Sequence, residues 1–98
     1  MHITKKNEAS KLVLELEGRI DTLTAPALEA ELKQSINGIN ELIIDFKDIE
    51  YISSAGLRVI LSAQKVMNTQ GSMIIKNVNK DVMEIFDITG FADFLTIE

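Results

Sequence analysis

Across residues 11 to 17, Leu12, Leu14 and Leu16 alternate with Lys11, Glu15 and Glu17, a period of two that predicts a strand with one apolar and one charged face. Residues 2 to 6 are a weaker strand candidate, and the polar link from Asn7 to Ser10 would let the two pair as an antiparallel hairpin. After Thr24 the period changes. Ala25, Leu28, Leu32 and Ile36 recur at helical spacing, Thr24 offers a capping hydroxyl, Pro26 suits an early helical position, and Glu29 and Lys33 face each other across one turn. The helical period before Asn37-Gly38 makes that dipeptide a C-terminal cap in preference to a hairpin turn.

Leu42-Ile43-Ile44 with Phe46 shows no clean alternation, which predicts a central strand buried on both faces of a sheet sandwiched between helices. An apolar loop then leads to Ser53 and Ser54. From Gly56 onward Arg58, Ser62, Lys65 and Thr69 form one polar stripe, while Val59, Ile60, Ala63, Val66 and Met67 fill a wide buried face of a helix. Gly71 ends that helix and Ser72 to Lys76 supplies another short strand, a strand, helix, strand unit of the kind that runs parallel and right-handed. Val82, Ile85 and Phe86 mark a third helix, broken by Gly90 before a closing apolar segment from Phe91 to Ile97. The expected fold is α/β: a single domain over residues 1–98, with a mixed β-sheet of four to five strands packed against α-helices.

Composition narrows the function classes. A hydrophobic share of 46% with a single proline opposes disorder, because enough apolar surface can be buried to offset the entropy of ordering the chain. Ten basic against fifteen acidic residues leave a net charge of -5, the wrong sign for neutralising phosphates, so no direct nucleic-acid partner is expected. Uninterrupted aliphatic runs such as Leu42 to Ile44 and Val59 to Leu61 are far short of the ~20 residues of a spanning helix. The opening Met-His-Ile-Thr-Lys-Lys has no signal-peptide apolar segment, and the expectation is a cytoplasmic chain without membrane insertion. The absence of cysteine removes disulfides, thiol catalysis and cysteine-ligated zinc, and His2 is the sole histidine. No cofactor is expected.

The stretch DIEYISSAGLRVIL, residues 48 to 61, places two adjacent hydroxyls at a helix start, at the edge of the sheet where the carboxyl ends of parallel strands gather binding loops. One serine could simply cap the helix. A nucleophile elbow would need Gly-x-Ser-x-Gly, yet Ile52 stands at the first glycine position, and only His2 or a lysine could act as base. A static phosphate cradle lacks further glycines and a Gly-Lys-Ser sequence. The remaining reading is a surface serine that accepts a phosphoryl group, roughly -1.5 to -2 charges held by the helix amides and dipole.

Three segments carry a family resemblance. LEGRIDTLTAPALEAEL at 16 to 32, LIIDFKDIEYISSAGLRVIL at 42 to 61 and ITGFADFLTI at 88 to 97 together resemble the STAS domain of the bacterial anti-sigma factor antagonist family. The resemblance implies a partner switch. The unmodified domain binds an anti-sigma factor that is also a serine kinase, which frees a sigma factor; phosphorylation of the loop serine breaks the complex, and a metal-dependent serine phosphatase restores it. It implies Ser54 as phosphoacceptor, with the neighbouring Ser53 as second choice. Ser53 stands where the best-known members carry aspartate, and Ala55 where they carry a second hydroxyl.

Around the serines, Arg19, Asp21 and Thr22 should approach from the end of the leucine strand, and Gly56, Leu57 and Arg58 should extend the partner-binding face. Gly56 either admits a partner backbone or relieves crowding. Leu57 is an anchor if exposed and a core residue under Ile52 if buried, with burial preferred. Asp21, Asp45 and Asp48 lack supporting ligand spacing and read as turn residues, caps or solvated charges, so no metal is expected. The resulting expectation is a phosphorylation-regulated binding module, monomeric or weakly dimeric, without catalysis of its own. The alternatives are an unphosphorylated STAS scaffold in a transport or sensory assembly, and a small serine hydrolase.

Overall fold

The computed structural model describes Met1 to Glu98. Its elements are β1 (His2–Glu8), β2 (Lys11–Ile20), α1 (Ala25–Ser35), β3 (Glu41–Ile52), α2 (Ser54–Gln70), β4 (Ser72–Lys76) and α3 (Lys80–Thr89), followed by a 3-10 turn at Phe91–Asp93. The sheet order is β1-β2-β3-β4, with β1 antiparallel to β2 and the other neighbours parallel. A single bridge from Ile97 to Ile75 adds the closing segment beyond these four strands. The hairpin is tighter than the polar link implied: Glu8 already faces Lys11, and Ala9 turns the chain at φ 52°.

β3 is central, but the helices cover one face only, which corrects the sandwiched sheet. The core cluster joins Leu12, Leu14, Leu16, Leu42, Ile44, Phe46, Met73 and Ile75 to residues of α1, α2 and α3. Val13, Ile43 and Ile74 occupy the alternate positions and point to the opposite face. Ile43 is buried there without belonging to that core, because its register neighbours Val13 and Ile74 flank it in the sheet centre. The unbroken apolar run therefore reported a central strand, not a second helical layer.

The apolar stretch before the serines is also strand. Glu15 pairs with Asp45 and Glu17 with Asp48, then Gly18 with Ile49 and Arg19 with Tyr51, so at each of two irregularities β3 carries one residue more than β2. These bulges turn Phe46, Ile49 and Ile52 inward at a spacing of three, which no two-residue period would reveal.

The helices follow the apolar spacing, with local exceptions. Ala25, Leu28, Leu32 and Ile36 are buried, and the Glu29–Lys33 pair closes at 3.6 Å. On α2 it is Gln64, not Val66, that lies buried; Val66 is 41% exposed. Phe86 of α3 packs on Phe46 with ring centroids 6.1 Å apart. Because β2 and β3 run parallel, both deliver their carboxyl ends to one edge, where the Ser53 amide donates to the Ile20 carbonyl at 2.8 Å. That bond fixes the serine loop beside the turn that follows β2.

Candidate functional site

The two serines divide their work. Ser53 is the N-cap of α2, in extended conformation at φ -92° and ψ 175°, and its hydroxyl accepts from the Gly56 amide at 3.4 Å. Ser54 is the first residue of the helix and is exposed. Its hydroxyl therefore stands in solvent beside first-turn amides, a place where the peptide dipoles favour negative charge. Arg58 is exposed one turn further along, at the spacing where side chains of a helix meet.

Gly56 and Leu57, both named for the partner-binding face, are internal, and for Leu57 this is the burial preferred from the sequence. Leu57 is buried at 4% exposure and belongs to the core, so it offers nothing to a partner. Gly56 is buried as well; a β-carbon there would meet Ile20 Cγ2 at 2.6 Å and Ile52 Cγ1 at 2.7 Å. The close approach it permits is to this chain's own strand ends.

The turn after β2 is built around Asp21. Its Oδ1 accepts from the amides of Leu23 at 3.0 Å and Thr24 at 3.1 Å, while its own amide donates to Thr24 Oγ1 at 2.8 Å. Thr24 Oγ1 donates to the Arg19 carbonyl at 2.7 Å. The Thr24 hydroxyl thus closes the turn instead of capping α1, whose first residues receive no side-chain cap. The Thr24 amide, helped by that of Leu23, holds the Asp21 carboxyl below its ordinary pKa against the opposing effect of desolvation. Asp21 is accordingly a residue that shapes the turn more than it displays charge.

Arg19 lies with its guanidinium 4.7 Å from the centroid of the Tyr51 ring and its Nε 3.9 Å from Asp21 Oδ2. Thr22 is exposed and shares a shallow cleft with Ala25, Pro26, Glu29, Ala55 and Val59, which joins the β2–α1 turn to the first turn of α2. The structure thus brings together Arg19, Asp21, Thr22, Ser53, Ser54 and Arg58 on one edge. Two residues there were not read from the sequence. Leu23 is 88% exposed and Tyr51 is 38% exposed. A leucine next to a helix start reads as core by composition, and the place of Tyr51 beneath Arg19 depends on the bulged β2–β3 register.

His2 and the acidic candidates have other neighbours. His2 lines a depression with Thr4, Glu15, Leu16, Glu17, Asp45, Lys47 and Asp48, a set that includes neither serine. Asp21 is engaged by its own turn, and Asp45 Oδ1 accepts from the Lys47 amide at 2.9 Å and from Asn77 Nδ2 at 3.0 Å. No three His, Asp or Glu side chains converge as metal ligands.

A four-stranded mixed sheet with helices on one face and a serine-capped helix at its carboxyl edge defines the architecture of a STAS domain. The chain belongs to that family: the STAS domain model matches residues 2–98. It is 30% identical over 98 residues to the anti-sigma-B factor antagonist of Bacillus subtilis strain 168, covering 99% of this chain and 90% of that protein. Among solved structures, an anti-sigma factor antagonist from Mycobacterium paratuberculosis matches with a TM-score of 0.88 and 20% identity, over 98% of this chain and 83% of that one. The anti-sigma factor antagonist SpoIIAA in its unphosphorylated form matches with a TM-score of 0.84 and 17% identity, over 99% and 88%. These structures share the fold read from the sequence.

Proposed function

We propose that this chain is an anti-sigma factor antagonist, a single STAS domain over residues 1–98, regulated by phosphorylation of Ser54. In its unmodified form it binds an anti-sigma factor that is also a serine kinase. That kinase transfers the γ-phosphoryl group of ATP to Ser54 Oγ; the P–O bond to ADP breaks, ADP leaves, and the hydroxyl proton passes to a base of the kinase. A metal-dependent serine phosphatase hydrolyses the ester and restores the binding form. The setting is cytoplasmic, where ATP is supplied, and no helix of the chain is long and apolar enough to cross a membrane.

The exposure of Ser54 at the first position of α2, with Ser53 already occupied as the cap, is the observation that carries this reading. The helix terminus tolerates a dianion within the free chain, while a partner pressed against the same edge must desolvate it. A coupling of only ~3 kcal/mol weakens binding more than a hundredfold. In this scheme the base belongs to the kinase, and the chain acts as a binding module without catalysis of its own.

The test is incubation of the purified chain with the anti-sigma factor kinase and ATP, followed by site-resolved mass spectrometry. The phosphoryl group is expected on Ser54, is absent from Ser54→Ala, and Ser54→Asp binds the kinase about a hundredfold more weakly. A group on Ser53 would move the acceptor by one residue. Tight kinase binding with no modification and no effect of Ser54→Asp would overturn the switch in favour of a scaffold, a reading that draws on the serine at 53 in place of the family aspartate. Ester turnover abolished by Ser54→Ala would identify an enzyme instead.

A further inference from the structure

Leu23 is the most exposed of the large apolar side chains, at 88%. Its backbone is not loose: the amides of Leu23 and Thr24 both donate to Asp21 Oδ1, and Thr24 Oγ1 ties the turn to the Arg19 carbonyl. The side chain is therefore held out into water on a preformed loop, and a partner that buries it loses little entropy in ordering the backbone. Such a placement costs hydrophobic free energy in the isolated chain and returns it on association.

Two of its neighbours, Arg19 and Tyr51, are of the residue types enriched at energetically dominant interface positions. Arg19 stacks over the half-exposed Tyr51 on one side of the Asp21 turn. On the other side Thr22, adjacent in sequence to Leu23, shares its cleft with Ala55, adjacent to Ser54. Leu23 is thus about one residue length, ~3.8 Å between α-carbons, beyond a cleft that ends at the phosphoacceptor turn. A protein footprint of ~800 Å² centred near Ser54 covers it. The other strongly exposed apolar side chains, Ile88 and Phe94, belong to α3 and the segment after it.

We infer that Leu23 is the apolar anchor by which the unmodified chain holds the anti-sigma factor kinase, filling an apolar pocket on that protein, with Asp21 and Thr24 as the positioning residues of its turn. The inference rests on the Ser54 reading for the identity of the partner. Affinity and regulation then reside in different side chains of one edge: Leu23 supplies contact area, and charge on Ser54 cancels it. Asp21, expected from the sequence to touch the partner, acts through the conformation it imposes on Leu23.

The experiment measures equilibrium binding of the purified anti-sigma factor kinase to the full chain, without ATP, for wild type, Leu23→Ala, Leu23→Asp, Asp21→Ala and the Asp21→Ala/Leu23→Ala double variant. Leu23→Ala is expected to weaken binding at least tenfold, and Leu23→Asp more, as for truncation of a central anchor. Their melting temperatures should stay within about 2 °C of wild type because the side chain is exposed. Asp21→Ala, which removes the oxygen that accepts both turn amides, should weaken wild type but add little to Leu23→Ala, the non-additivity of a residue that works through another. In phosphorylation kinetics Leu23→Ala should raise KM while preserving kcat. Wild-type affinity in both Leu23 variants overturns the anchor even when Ser54 switches as proposed, whereas a Ser54 indifferent to charge with Leu23 still required overturns only the switch. Loss of a self-associated form in Leu23→Asp, with kinase binding intact, would assign the residue to a contact between copies of this chain and overturn the inference.

Discussion

Asp21 has no ion partner of consequence, since its contact with the half-exposed Arg19 at 3.9 Å adds little in water. Its influence comes from the two amides that point at Oδ1. Folding lowers its pKa, so its contribution is complete above the carboxylate range of the unfolded chain and disappears as the pH falls through the lower folded value. The turn should therefore hold at about pH 5 and open only in stronger acid. The amide shifts of Leu23 and Thr24 report this transition, and Asp21→Asn should abolish it. Ser53 and Gly56 make further residue-level claims. Ser53→Ala removes a cap whose bond is long, 3.4 Å, and should cost about 0.5–1 kcal/mol in denaturant melts. Gly56→Ala forces a methyl group onto Ile20 and Ile52 and should cost about 1–3 kcal/mol.

At the scale of elements, β2 and the three helices were legible from a periodic apolar pattern, and the first half of β3 from an unbroken apolar run. Where two elements meet, that pattern stopped being sufficient. The last third of β3 read as a loop because two bulges against β2 replace the period of two by one of three. The start of α1 read as a threonine cap because Thr24 has the right chemistry, yet its hydroxyl is spent on Arg19 and Asp21. The junction of α2 and β4 carries a sharper prediction. A β-carbon at Gly71 would collide with the Asn40 backbone, whose carbonyl accepts the Ser72 amide at 3.0 Å and cannot yield without losing that bond. Gly71→Ala should accordingly destabilise by about 3 kcal/mol, more than Gly56→Ala, whose obstacles are side chains. Urea midpoints of the two variants give the order directly.

For the whole molecule, stability rests on a single apolar layer between the sheet and three helices, because the opposite sheet face carries Val13, Ile43 and Ile74 without a helix over them. Phe86 is fully buried in that layer and links α3 to β3 through Phe46. Phe86→Ala should cost about 3–5 kcal/mol, visible as a collapse of the thermal midpoint, while leaving the exposed Ser54 edge chemically unchanged in whatever fraction remains folded. The sequence by itself determined the element types, the α/β class, the family and the serine pair at a helix start, since period, glycine breaks and motif are local properties of the chain. Only the tertiary structure decided which serine is the cap and which is free, that Gly56 faces inward, that one sheet face is bare, and that Leu23 and Tyr51 lie at the same edge. Those outcomes depend on strand register and on which surfaces meet, and both arise from contacts between residues far apart in the chain.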